Sequence, residues 1–356
     1  MIKTMRLVKR IFNSMRLYFR RKYALKVEGK NLTSVKLQML TKKEKELLKQ
    51  HWGKLGLRIY EDFYRVYKTM EKFNPQYLSD DLYYPYILRT LNPIEYSVAL
   101  CHKAFYDNLF SNATLPETYV KRIRGTFYDR SCNVITENEA IDIVIGKPSF
   151  IIKPTIDTCV GKNVHKITDP MAVNILQLFD SVGNDFIVQE VVEQSEQTAK
   201  LNPSSLNTIR VSSLYINGTF SICNMCIKMG RNGAVVDNLG AGGLILGVHN
   251  DGTLYNYAYD GMYNKHYKNG KCVFEGIRID GIDKVTKLVE KLHISHLPQL
   301  SFVGWDIALN KYNEPILVEV NLKWPGIQFE QLCCAKPLFG DRTDEVIDFV
   351  IQNNKR

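Results

Sequence analysis

Two apolar runs near the end of the chain, Phe302-Val-Gly-Trp-Asp306-Ile-Ala-Leu309 and Pro315-Ile-Leu-Val-Glu319-Val-Asn321, flank the polar stretch Asn310-Lys-Tyr-Asn-Glu314. That pattern predicts a β-hairpin with a longer loop. With the turn centred between Tyr312 and Asn313, Leu309 faces Ile316 and Asp306 faces Glu319. Glu319 and Asn321 are two apart, so they project from one sheet face. Carboxylates opposed across a ladder repel each other. A divalent cation resolves the conflict, and two carboxylates plus an amide oxygen suit Mg²⁺, which commonly bridges nucleotide phosphates. The alternative is an edge hairpin with its acids in solvent, and a register slip decides between the two.

A chain of 356 residues exceeds the usual single domain, so two or three structural units sharing one core region are expected. The net charge of +10 is concentrated at one end. Residues 1–50 carry 15 Lys/Arg against 3 Asp/Glu, which leaves the remainder at about −2. That asymmetry argues against a whole-surface nucleic-acid binder. Eight cysteines are too sparse for a disulfide scaffold, and reduced, cytoplasmic thiols are the default. Cys223-Asn-Met-Cys226 lies in a strand-like run, where residues three apart point to opposite faces, so a redox pair is not expected. Cys333-Cys334 reads as packing.

Residues 1–27 contain no acid. Met5, Val8, Ile11/Phe12, Met15 and Tyr18/Phe19 recur at helical spacing with Lys9, Arg10, Arg16, Arg20 and Arg21 between them. The segment, bounded as 1–30, reads as a basic amphipathic helix suited to an anionic membrane surface. Its charges are too frequent for a membrane span or a signal peptide. A helix docked on its own domain and a transit peptide are the alternatives. The expected location is cytoplasmic, with the inner face of the cell membrane as the surface this helix could meet.

Residues 31–114 read as a helical region, with helices over 41–72 and 93–110. Aromatics crowd 58–86 with almost no basic residues beside them after Lys72, which indicates core and groove wall and not a nucleic-acid platform. From about 115 the texture changes to short strands: 149–153, 185–190, and 208–216 paired with 219–229 across Asn217-Gly218. Helices are expected at 169–181 and 280–293. The fold class is α+β. Phe150-Ile-Ile-Lys153-Pro154 leads into the loop 155–163 and a return strand at 164–167. A lysine leaving a buried strand beside such a loop suits phosphate oxygens, although Lys-Pro there is also an ordinary strand end.

The order of these pieces resembles the ATP-grasp superfamily, and most closely its sugar-transfer-associated branch linked to capsule and exopolysaccharide pathways. The pieces are Lys43-Glu-Lys-Glu46, Tyr77-Leu-Ser-Asp-Asp81, His102-Lys103-Ala-Phe-Tyr-Asp-Asn-Leu-Phe110 and Phe150–Asp157. Further along come Gln189-Glu190-Val-Val-Glu193-Gln194, Asn202-Pro-Ser-Ser-Leu-Asn207-Thr-Ile-Arg210, Val236–Gly243 and Val318-Glu-Val-Asn321. The resemblance implies an ATP-grasp fold over 115–356, with subdomains at about 115–188 and 189–356 clamping ATP. It implies that Lys103 and Lys153 contact the ATP phosphates, with the loop bearing Gly161 and Lys162 closing over them. Gln189, Glu190, Val192 and Glu193 would form the hinge that reads adenine and ribose. Arg210, with Lys153, would act on the transferred phosphate, and Asp306, Glu319 and Asn321 would hold one or two Mg²⁺ ions. The family loop is typically glycine-rich, whereas this one keeps only Gly161, which leaves open a stiffer lid, weaker ATP binding or altered chemistry.

Asn207, Lys228, Arg231, Asp237 and Asn238 could line a cleft for an acidic substrate. For Lys228 taken alone a solvated sheet rim is the better reading, and an ordinary Gly-rich turn also accounts for 236–243. The expected activity is an ATP-dependent carboxylate–amine ligase working through an acyl-phosphate, on a small-molecule or glycan-precursor carboxylate such as a sugar acid or amino acid. A kinase acting on a sugar or polyol hydroxyl, and a non-catalytic nucleotide-binding protein at a membrane surface, are the alternatives.

Overall fold

The computed structural model describes residues 15–26, 35–156 and 163–354. Two antiparallel sheets organise them. The first contains β1 (Thr118–Ile123), β2 (Thr126–Asp129), β3 (Val134–Ile135), β4 (Phe150–Pro154), β5 (His165–Ile167) and β6 (Phe186–Gln189), in the order β3-β2-β1-β6-β4-β5. The second begins with β7 (Thr208–Ile216), β8 (Thr219–Met229), β9 (Leu244–Val248), β10 (Leu254–Tyr259) and β11 (Lys265–His266). A separate pair follows, β12 (Lys268–Asn269) with β13 (Cys272–Val273). The second sheet is completed by β14 (Phe302–Leu309) and β15 (Pro315–Asn321), giving the order β11-β10-β9-β8-β7-β14-β15. Strands paired into sheets, with helices packed on them, make the fold α+β as expected.

The first sheet is backed by helices Glu137–Ile145 and Ile175–Val182. Thr136 and Glu139 form a capping box that satisfies two orphan amides at the start of the first helix. Ala140, Val144, Ile175 and Phe179 then pack on Phe127, Phe150, Ile152 and Phe186. The second sheet is covered on both faces. On one, Val285, Val289 and Leu292 of helix Ile282–His296 pack against Ile209, Val211, Ile227, Trp305 and Ile307. On the other, the aromatics of the helical region, among them Trp52, Phe63, Tyr64, Tyr67 and Tyr83, share one core with Leu214, Phe302, Ile347 and Val350. Apolar cover on this second face gives way to charged side chains beyond Phe302, and the cleft lies there.

Several expectations are refined. The helix expected over 41–72 is broken: Lys42–Trp52 ends in a tight turn with Gly56 at φ +68°, and Asp62–Met70 starts afresh. The left-handed conformation at Gly56 stops the first helix. The helix over 93–110 likewise splits at His102, whose Nδ1 accepts from the Ala104 amide and starts a new turn. In β8, Ser212 faces Asn224 while Ser213 faces Ile222, so Cys223 is an extra, bulged residue. The bulge reverses the alternation, and Cys223 and Cys226 enter the same core as free thiols, not opposite faces. In the β14–β15 hairpin Leu309 faces Pro315 and Ala308 faces Ile316, one residue off the expected register. A bulge at Val318 absorbs the difference and brings Asp306 opposite Glu319 as expected.

Candidate active site

Glu319 of β15, Asp306 of β14, Arg210 of β7 and Cys226 of β8 are partners in succession across four strands. The row therefore sets two acids beside an arginine, and Lys228, two residues past Cys226 on the same strand face, adds a second cation. Arg210 donates from Nε to Asp306 Oδ1 at 2.6 Å and from Nη2 to Oδ2 at 3.1 Å. Lys228 Nζ reaches Oδ2 at 2.9 Å, and Asn321 Nδ2 donates to the same oxygen at 3.2 Å. Burial disfavours the Asp306 carboxylate, but Arg210 and Lys228 overcome it and hold its pKa well below the usual carboxylate range. Arg210 also donates from Nη1 to Glu330 at 3.3 Å, and Ser212 donates to the other Glu330 oxygen at 2.5 Å. Here burial prevails, and the Glu330 pKa is raised.

The opposite wall comes from earlier in the chain. Lys103 donates its backbone amide to the Thr155 carbonyl at the end of β4, at 3.3 Å. Its Nζ pairs with Glu319 Oε1 at 2.8 Å, so one residue links the first sheet to the second. Lys153 projects from β4 into the same space. Burial there, reinforced by the charge of Lys103 and opposed by Glu319 and Asp306, lowers its pKa to about 8.

Between the sheets, the chain leaves β6 at Gln189, which donates to Thr118 Oγ1 at 3.3 Å. Glu190 is committed to the first sheet, because its carboxylate accepts from the Glu117 amide at 2.9 Å. Gln194 bridges to Asn310, and the Ser195 amide donates to Leu309, which anchors the crossing to the β14–β15 turn. Glu193 is exposed and pairs with Lys311 at 2.9 Å. A cavity of about 400 Å³ is lined by this crossing, Lys103, Lys153 and the acid row, a size suited to a nucleotide. A second, of about 520 Å³, shares Lys103, Arg210 and Glu319 with it and is walled by Tyr84, Trp324 and Phe329.

Of the residues singled out from the sequence, Lys103, Lys153, Gln189, Glu190, Val192 and Glu193 line the first cavity. So do Arg210, Lys228, Asp237, Asn238, Asp306, Glu319 and Asn321. Gly161 and Lys162 lie outside the described residues. Two residues are not brought to either cavity. Asn207 is fully buried, and its Nδ2 donates to the carbonyls of Thr198 and Asn202 at 2.8 and 2.7 Å, so it staples the loop before β7. Arg231 turns away to His266, at 3.3 Å, and Asp260, at 3.9 Å. Glu330 and Ser212 were missed. The one available signal was an acid inside the largely apolar segment Ile327-Gln-Phe-Glu-Gln-Leu-Cys-Cys334, where Gln328 and Gln331 are its only other polar side chains apart from the cysteines.

The donor set fits Mg²⁺ in kind: carboxylates of Asp306 and Glu319 and an amide oxygen of Asn321 edge the nucleotide-sized cavity. Asn321 Nδ2 is directed at Asp306, so Oδ1 is the atom that would face a metal. Asp306 is the most heavily committed of the three, so Glu319 and Asn321 are the readier ligands.

The sequence pattern of the sugar-transfer associated ATP-grasp family matches residues 86–346, and the chain belongs to that family. A comparison with curated proteins found no match. Among solved structures, VanG D-Ala:D-Ser ligase from Enterococcus faecalis is similar at 14% identity and TM-score 0.44, over 72% of this chain and 62% of that one. The biotin carboxylase domain of Hydrogenobacter thermophilus 2-oxoglutarate carboxylase is similar at 10% identity and TM-score 0.46, over 73% and 48%. D-cycloserine synthetase DcsG is similar at 14% identity and TM-score 0.42, over 74% and 73%. The chain thus spans less than two thirds of the first two proteins.

Proposed function

We propose that the protein is an ATP-dependent carboxylate–amine ligase that modifies a sugar acid or an amino acid in capsule or exopolysaccharide assembly. One observation carries the reading: in a chain of the ATP-grasp family, Lys103, Lys153, Arg210 and Lys228 converge on Asp306 and Glu319 around one nucleotide-sized cavity. Phosphoryl transfer depends mainly on positioning and charge neutralisation, and this set of groups supplies both.

ATP occupies the first cavity, with its adenine against the backbone of 190–192 and its phosphates between Lys103 and Lys153. The acceptor carboxylate lies in the second cavity, against Tyr84 and Trp324, where the two cavities meet at Arg210. A carboxylate oxygen attacks the γ-phosphorus, and the bond to the β–γ bridging oxygen breaks with its electron pair leaving on ADP. An amine then adds to the acyl carbon of the resulting acyl-phosphate. The carbon–oxygen bond to phosphate breaks, phosphate departs, and the nitrogen gives up a proton. Lys153 and Arg210 neutralise the charge on the phosphate as it passes between the cavities. Glu319 and Asn321, with Asp306, would hold Mg²⁺, which would supply further neutralisation of phosphate charge.

The test is product analysis with ATP and Mg²⁺ against panels of sugar acids, amino acids and amines. Phosphate and ADP released only when acid and amine are both present, with a new amide by mass spectrometry, is the expected result. A phosphorylated sugar or polyol without free phosphate would replace ligation by kinase activity. Nucleotide binding with no turnover on any panel would favour the non-catalytic alternative.

A further inference from the structure

Residues 15–26 form a helix that is held to the body by an unexpected side. Arg21 is buried and donates from Nε and Nη2 to Asp81 Oδ2 at 2.9 and 2.6 Å, and its guanidinium lies 4.7 Å from the centre of the Tyr60 ring. Leu25 packs on the aromatic core, and Leu17 and Ala24 are half-buried. Those four residues fall on one face at the helical period. Asp81 is fully buried, so breaking its ion pair would strand a charge, and the orientation of the helix is fixed accordingly.

The opposite face is apolar and uncovered. Met15, Phe19 and Tyr23, at successive spacings of four, are 51%, 63% and 70% exposed. Tyr18 is exposed beside them. Arg16, Arg20 and Lys26 are exposed along and beside this ridge, Lys22 is exposed with its Nζ 4.9 Å from the Tyr60 ring centre, and the segment contains no acid. A helix evolved only to cap its own domain would turn the phenylalanine inward and the arginine out. The arrangement is the reverse. Among the described residues no helix is long and apolar enough to cross a membrane.

We propose that the outward face of helix 15–26 is a docking surface for an anionic lipid bilayer, with Met15, Phe19 and Tyr23 entering the headgroup boundary and the flanking cations meeting acidic headgroups. Both halves of the surface are needed for that occupant: apolar area to insert, and cations with no acid between them. A second copy of this helix would bring like charges together around the same ridge, which disfavours self-association. The docked body is oriented by Arg21–Asp81, so the membrane would hold the catalytic domain in a defined pose.

The test is co-sedimentation of the full chain with vesicles of phosphatidylglycerol and phosphatidylcholine, and with vesicles of phosphatidylcholine alone. Binding to the anionic vesicles that weakens with salt is expected. The double substitution Phe19→Ser with Tyr23→Ser should lower partitioning at least about tenfold. Arg16→Gln and Lys26→Gln should each lower it about fivefold. All four positions are exposed, so thermal melts and nucleotide binding should match the unsubstituted protein. Equal partitioning of unsubstituted and substituted chains, or none on anionic vesicles, would overturn the proposal. So would a solution dimer that Phe19→Ser with Tyr23→Ser converts to monomer.

Discussion

Arg210 grips Asp306 through both carboxylate oxygens, at 2.6 and 3.1 Å, and the pair is buried on the adjacent strands β7 and β14 of the second sheet. Removing the Asp306 charge leaves Arg210 with Glu330 alone and takes away the carboxylate that Lys228 pairs with. Asp306→Asn should therefore destabilise the fold by about 3–5 kcal/mol, read as a lower denaturation midpoint in urea. The pH dependence has a definite sign. The folded-state pKa of Asp306 is depressed, so its stabilisation is present above the unfolded carboxylate value and is lost as pH falls below it. The Asp306→Asn variant should lose that part of the acid limb.

Lys153 should make nucleotide binding pH-dependent in the alkaline range. With its pKa lowered to about 8 by burial and by Lys103, it is mostly charged at neutrality and mostly neutral well above pH 8. A polyphosphate favours the charged form, so ADP or ATP affinity should fall as pH rises through that value, with proton uptake on binding. Calorimetry in buffers of different ionisation enthalpy measures both. Lys153→Met should weaken binding and abolish the dependence, while Lys153→Arg should retain charge and remove only the dependence.

Glu319 pairs with Lys103 across the cleft at 2.8 Å, and it is only partly buried. Because Lys103 opposite it is buried, Glu319→Gln should lower the thermal midpoint by more than the loss of an exposed pair would, and by less than Asp306→Asn, whose own carboxylate is buried. It should also raise the Mg²⁺ concentration needed for nucleotide binding, measured by titrating the metal against a fluorescent nucleotide. An unchanged metal requirement would remove Glu319 from the ligand set.

How far the sequence was legible depended on the range of the interaction. A turn centred between Tyr312 and Asn313 sets Asp306 opposite Glu319, and they do meet, but only because the bulge at Val318 offsets a one-residue error in register; the Asn217-Gly218 turn announced β7–β8, with φ +53° and +75° at the two positions. Bulges at Val318 and Cys223 left no such mark, because one extra residue looks like ordinary strand. Glu330 could not be assigned to Arg210, since its helix meets β7 only through tertiary packing. Asn207 and Arg231 were polar residues near the right strands, but proximity along the chain said nothing about which way each side chain turned. In the N-terminal helix the apolar stripe was readable, yet the buried arginine decided which face docked.

Asn207 and Arg231 provide a control on the site's boundary. Asn207→Ala removes an amide with two buried backbone partners and should destabilise by about 1–3 kcal/mol through stranded carbonyls. Folded Asn207→Ala protein should still bind nucleotide. Arg231→Ala should alter neither nucleotide affinity nor turnover, because Arg231 points to Asp260 and His266 and away from both cavities. A large loss of turnover in Arg231→Ala would move the acceptor site toward β11.

Trp324 gives the sharpest separation between the two cavities. Its ring is 58% exposed, tilts against Tyr84 at 5.4 Å between centres, and has the Arg89 guanidinium 5.5 Å from it. It lines the second cavity and not the first. An accessible aromatic ring held from behind is a rigid apolar wall, and a small acceptor lying on it would gain contact area at little cost in ordering. Trp324→Ala should raise the acceptor KM about tenfold or more and leave the nucleotide Kd unchanged. If the nucleotide Kd rose in step with the acceptor KM, the two substrates would share one cavity, and the division of labour between Lys153 and Trp324 would have to be redrawn.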